Sequence, residues 1–154
     1  MANSDTRFIY ANDDGGICIV TPADNTDLTL DQIKDKDCPN GKTVYTVNKS
    51  AIPTDRSFRN AWTYTEYIMG FGIDMAKARE IHKTNIRLAR EEKFKELDIE
   101  FQKALETGAS TTDIVAKKQA LRDAPADSGI AAASDADTLK AQWKTDILGT
   151  SPYS

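Results

Sequence analysis

The side chains that could do chemistry are few and scattered. The chain has one histidine, His82, and two cysteines, Cys18 and Cys38. A zinc site needs such ligands clustered, and the sequence holds neither Cys-x-x-Cys nor His-Glu-x-x-His. His82 falls on the apolar side of a helical pattern, which predicts a packed core or interface imidazole rather than a general base. No glycine-rich phosphate loop and no Gly-x-Ser-x-Gly elbow occurs. Glu91, Glu92, Glu96 and Asp98 are interleaved with Lys93 and Lys95, the pattern of a solvated helix with intrahelical ion pairs rather than of two facing catalytic acids. Asn12-Asp13-Asp14-Gly15-Gly16 lacks the alternating oxygens and distant glutamate of a calcium loop. The reading is therefore a protein with no catalytic centre, cofactor or metal.

Two other groupings point to binding. Arg79, Lys83, Arg87 and Arg90 recur every three or four residues, with Lys77 nearby, so they share one helix face. Such a stripe is a solvated face, a seat for an acidic protein, or a phosphate track. The net charge of -4 and the lack of interleaved aromatics weigh against nucleic acid. The second grouping is Phe58, Trp62, Tyr64, Tyr67 and Phe71, five of the twelve aromatics within fourteen residues. Aromatics this dense form either a core between two layers or a contact surface. The candidate partner-binding residues are Trp62, Tyr64, Tyr67, Phe71, Arg79, Lys83, Arg87 and Arg90.

The elements that must carry these residues divide near residue 70. Arg7-Phe8-Ile9-Tyr10 and Ile17-Cys18-Ile19-Val20 are β-rich runs flanking an Asn/Asp/Gly turn, which predicts a hairpin. Thr29-Leu30-Asp31-Gln32 predicts a short helix opened by a capping box, closed before Cys38-Pro39-Asn40-Gly41. Thr43 to Val47 alternates as a half-buried strand. From Asp74 a run free of Gly and Pro predicts a helix to about Thr107, on the order of 50 Å long, ended by Gly108. Its apolar stripe is offset between Ala89 and Phe94, which predicts one packing surface for each half, with the N-terminal sheet under the first and another helix under the second. Ser110 to Asp113 opens a second helix that Pro125 ends, and the short connection implies an antiparallel pair. Ser134 to Asp137 opens a third, short helix that carries Leu139 and Trp143.

These readings give an α+β fold: a small N-terminal antiparallel β-sheet of about three strands, then a long-helix α-hairpin and a short C-terminal helix. The expected divisions are a β-rich domain with its aromatic connector at 1–72, the helical part at 73–147, and an extended, loosely held tail at 148–154. The polar stretch Met1 to Arg7 lacks the apolar core of a signal peptide, and no apolar run is long enough to span a bilayer, so no membrane is expected. Both cysteines are expected reduced, unless the strands they flank lie close enough for a bridge.

Phe58-Arg59-Asn60-Ala61-Trp62, Ile73 through His82, Asn85 through Arg90, Leu97-Asp98, Lys118 through Asp127 and Leu139-Lys140-Ala141-Gln142-Trp143 resemble a family of small tailed-phage and prophage proteins. The likeness covers residues 52–143. The helical half is also similar to tail-fibre assembly proteins and tail assembly chaperones, in which a helix pair precedes a segment ending near a tryptophan. The resemblance implies a tail or tail-fibre accessory, either an adaptor in the virion tail or an assembly factor in the host cytoplasm. It implies other tail or tail-fibre proteins as partners, self-association as a further possibility, and no catalytic residue. The alternative function is a nucleic-acid-binding phage regulator that uses the basic stripe.

Overall fold

The computed structural model describes residues 3–153; Met1, Ala2 and Ser154, at the ends of the polar N-terminal stretch and of the tail, lie outside the described residues. The chain divides into two compact units between Asp74 and Met75.

In the first unit, β1 (Thr6–Ala11) lies between β2 (Ile17–Val20) and β3 (Tyr45–Asn48), antiparallel to both. The register pairs Phe8 with Val20 and Thr46, and Ile9 with Ile19 and Tyr45. Because side chains alternate along a strand, Phe8, Tyr10 and Val20 share one face and Ile9 and Ile19 the other. The Phe8 face packs with α1 (Leu30–Asp37) in a cluster of Phe8, Ile33 and Cys38, edged by Leu30 and Val44. The β1–β2 turn is held by Asn12, whose Oδ1 accepts from Gly16 N at 2.7 Å, while Gly15 takes a φ of 78°. The expected capping box opens α1: Gln32 N donates to Thr29 Oγ1, and Thr29 N donates to Gln32 Oε1. Cys18 and Cys38 are both free thiols, and burial pushes the Cys38 thiol up from its usual range.

The aromatic connector forms a second hairpin, which the sequence reading did not contain. β4 (Trp62–Thr65) pairs with β5 (Gly70–Ile73), placing Trp62 opposite Ile73 and Tyr64 opposite Phe71. The two glycines of β5 hide its strand character. Gly72 stands opposite Thr63, and a Cβ there would come within 2.9 Å of the Thr63 Oγ1. The hairpin turns through a 3-10 segment, Glu66–Ile68, and Met69 with φ 44° and ψ 42°. The Asp74 amide donates to Ala61 O at 2.8 Å, which carries the first unit two residues past the expected boundary.

The second unit is built on α2 (Met75–Thr107), which α3 (Thr112–Asp123) follows after a tight reversal. Gly108 adopts φ 68°, and Ala109 N donates to Ala104 O, closing the helix in a Schellman motif. The two helices run antiparallel: Lys118 meets Asp98 at 2.6 Å and lies over the Phe101 ring, while Arg122 lies over Phe94.

The offset in the α2 stripe is bridged by a basic residue. Ala78, His82 and Ile86 are buried before it, and Leu97 and Ala104 after it. Between them the half-buried Arg90 lies over Phe94 and donates to the carbonyls of Leu121 and Arg122 at the end of α3. A guanidinium there satisfies carbonyls that lack helical partners and complements the negative end of the helix dipole. The second half of α2 packs on α3, as expected. The C-terminal segment packs on the first half, with Trp143 and Tyr153 against His82 and the Ala133 carbonyl accepting from Arg79.

That segment contains three short helices where the reading had one: α4 (Ser128–Ala132), α5 (Ala136–Lys140) and α6 (Thr145–Leu148). Asp127 caps α4 by accepting from Gly129 N, and a capping box of Asp135 and Thr138 opens α5. Lys144 pairs with Asp127 and, with the Gly129 amide, holds its carboxyl below the usual range. The tail is not loose: Leu148 is buried and Tyr153 is half-buried.

Candidate functional site

The eight candidate residues fall four in each unit. In the first unit Trp62 is buried, with Phe71 edge-on at 5.6 Å, and Phe71 also meets Tyr64 edge-on at 5.4 Å. Tyr64 in turn lies against Tyr45 at 4.9 Å. These aromatics hold the hairpin together through cross-strand contact and burial. Tyr67 is different. It stands 96% exposed at the turn, followed by Ile68 at 66% and Met69 at 75%. Three consecutive large apolar side chains in water form a convex tip. Met69 adds a left-handed backbone that an L side chain adopts at a cost of about 1–2 kcal/mol. Ile68 and Met69 lie outside the aromatic pattern of the sequence; the available signal was an apolar triplet immediately before Gly70.

In the second unit two of the four basic residues are bonded within the fold. Arg79 Nη2 donates to Ala133 O at 2.8 Å, and Arg90 closes α3. Lys83 pairs with Glu80 one turn away at 2.8 Å. Arg87 is exposed and adds a weak attraction toward Glu80. Arg79 and Arg90 are thus bonded to backbone within their unit, while Lys83 and Arg87 stay at its surface.

His82 is fully buried and sits in an aromatic cage. Tyr153 stacks on it, with 5.5 Å between centroids and 12° between planes, and Trp143 meets both rings edge-on. The Tyr153 hydroxyl lies 2.7 Å from His82 Nδ1 and accepts from Asn85 Nδ2 at 3.2 Å. The direction of the bond between the hydroxyl and Nδ1 follows the imidazole tautomer. Among the described residues His82 Nε2 has no hydrogen-bond partner, and neither does Arg79 Nε. Trp143 Nε1 donates to Gly149 O, tying the cage to the last turn of the chain. A base must reach a substrate proton, and this imidazole reaches only its own fold. Burial lowers its pKa from 6.5 and keeps it neutral.

This sets a pH dependence. The native state resists protonating His82, so its stability is full above about pH 6.5 and declines as the pH falls toward the lower native pKa. Within that window the slope is at most about 1.4 kcal/mol per pH unit. Urea unfolding of the helical unit at pH 7.5 and 5.5 should show the decline, and His82→Gln should flatten it. Equal stability of the wild type at both values would contradict the assignment.

Among the described residues no group of three or more His, Cys, Asp or Glu is arranged to hold a metal, and no helix is long and apolar enough to cross a membrane. The fold is α+β, and Tyr67, Ile68 and Met69 are the most exposed of its large apolar side chains among the described residues. In the comparisons with known proteins, no family model, curated protein or solved structure matches the chain.

Proposed function

We propose that this protein acts without catalysis, through protein–protein contact, as an accessory or structural component of a tailed bacteriophage. The observation that supports contact is the Tyr67-Ile68-Met69 tip, an apolar surface held out on a hairpin whose own aromatics are satisfied. Apolar and aromatic anchors of this kind supply most of the energy at protein interfaces. The tailed-phage setting rests on the sequence resemblance over residues 52–143. The partner in this reading is a tail or tail-fibre protein with an apolar pocket. The alternative, a nucleic-acid regulator using the α2 stripe, gains no support from residues already bonded within their own unit.

Mass spectrometry of purified particles and of tail-assembly intermediates tests the proposal. Presence in particles is expected for an adaptor, and presence in intermediates alone for an assembly factor. Absence from both would overturn the tail assignment.

A further inference from the structure

A second surface on the first unit has the opposite character. It is a groove of about 430 Å³ lined by Arg7, Lys49, Arg56 and Arg59. These are four of the seven lysines and arginines in residues 1–74, and no carboxylate lines the groove with them. None of the four forms an ion pair with a described residue. The neighbouring Asp55 turns its Oδ1 to the amide and hydroxyl of Ser57. Like charges gathered this way repel one another, a cost to the fold that an anion would remove.

Two of the guanidinium groups are held in place. Arg7 Nη1 donates to the carbonyls of Thr6 and Ser4, at 2.6 and 2.9 Å, leaving its other donors available. Arg56 lies 5.8 Å over the Trp62 ring. Lys49 and Arg59 are exposed at the groove. Ile52 and Pro53 contribute an apolar wall between the cations.

We infer that this groove binds a short acidic segment of a partner polypeptide, whose carboxylates sit on Arg7, Lys49, Arg56 and Arg59. Guanidinium groups pair with carboxylates through two parallel hydrogen bonds, and the Ile52–Pro53 wall suits the backbone and stems between them. A nucleic acid fits less well. No aromatic lines the groove to stack a base. Residues 1–74 also carry eleven aspartates and glutamates, so a longer phosphate chain would run off the groove into negative charge. The inference does not depend on the hairpin tip, and either can fail alone.

The test uses the full chain and a fluorescently labelled hexaglutamate peptide, followed by anisotropy. Binding is expected at low salt and should weaken by about tenfold or more in the double variant Lys49→Glu, Arg59→Glu. Melting of this variant should be unchanged or slightly raised, since both residues are exposed and lack ion-pair partners. The double variant Lys49→Arg, Arg59→Lys should retain binding. No binding at low salt, equal binding by the charge-reversed protein, or tighter binding of a single-stranded oligonucleotide of equal charge would each overturn the assignment.

Discussion

Trp143→Ala should destabilise the helical unit by about 3–5 kcal/mol, the largest effect expected of any single truncation there. Trp143 is 8% exposed and meets both His82 and Tyr153 edge-on. Its removal opens a cavity beside a histidine that already carries one unpaired nitrogen. It also strands the Gly149 carbonyl, which accepts from the indole. Losing a buried partner leaves the full desolvation penalty of the other group, about 1–3 kcal/mol, so the cavity and the orphaned carbonyl act in the same direction. Domains are stable by only about 5–15 kcal/mol, and the change would consume much of that margin. The measurement separates the units cleanly. With Trp143 gone, Trp62 is the remaining tryptophan and reports the first unit by fluorescence, while far-ultraviolet ellipticity follows mainly the helices of the second. The ellipticity midpoint in urea should fall sharply while the Trp62 transition stays in place. A loss of less than about 1 kcal/mol would show that the C-terminal segment is not held by this cage.

What the sequence made legible follows the range of the forces involved. The β1–β2 hairpin, the capping box of α1, and the glycine stop of α2 are local: each is set by residues close together in the chain. The second hairpin was hidden because its strand β5 reads Gly-Phe-Gly-Ile, and the reason for Gly72 lies on the opposite strand, at Thr63. The role of Arg90 was hidden for a similar reason. Periodicity places it on a basic stripe, yet its partners are carbonyls some thirty residues away, at Leu121 and Arg122. Arg79 repeats this with Ala133. A long basic side chain can cover apolar surface and close a helix end, so a stripe of charge in the sequence need not be a stripe on the surface. His82 was legible as a packed residue from its place on the apolar face. Tyr153 was not, because nothing local tells a tail residue that stacks on a helix from one that waves in solvent.

The exposed Tyr67-Ile68-Met69 tip carries the second large prediction. Under the proposed function, Ile68→Asp should weaken association with tail or tail-fibre proteins by at least about thirtyfold, the loss of one interface hot spot of about 2 kcal/mol. Ile68 is 66% exposed, so the change should alter folding stability by no more than about 0.5 kcal/mol. Co-sedimentation with purified tails or fibre subunits, run beside thermal melting, reads both quantities. Met69→Gly provides a control of opposite sign. Its φ of 44° favours glycine, so removing the side chain should leave stability unchanged or raise it, while removing a second apolar anchor should still weaken association. A side chain kept at a position where glycine folds better is best explained by what it touches outside its own chain. If both variants co-sediment like the wild type, the tip is not the contact, and the exposure of Tyr67, Ile68 and Met69 is no guide to what the protein does.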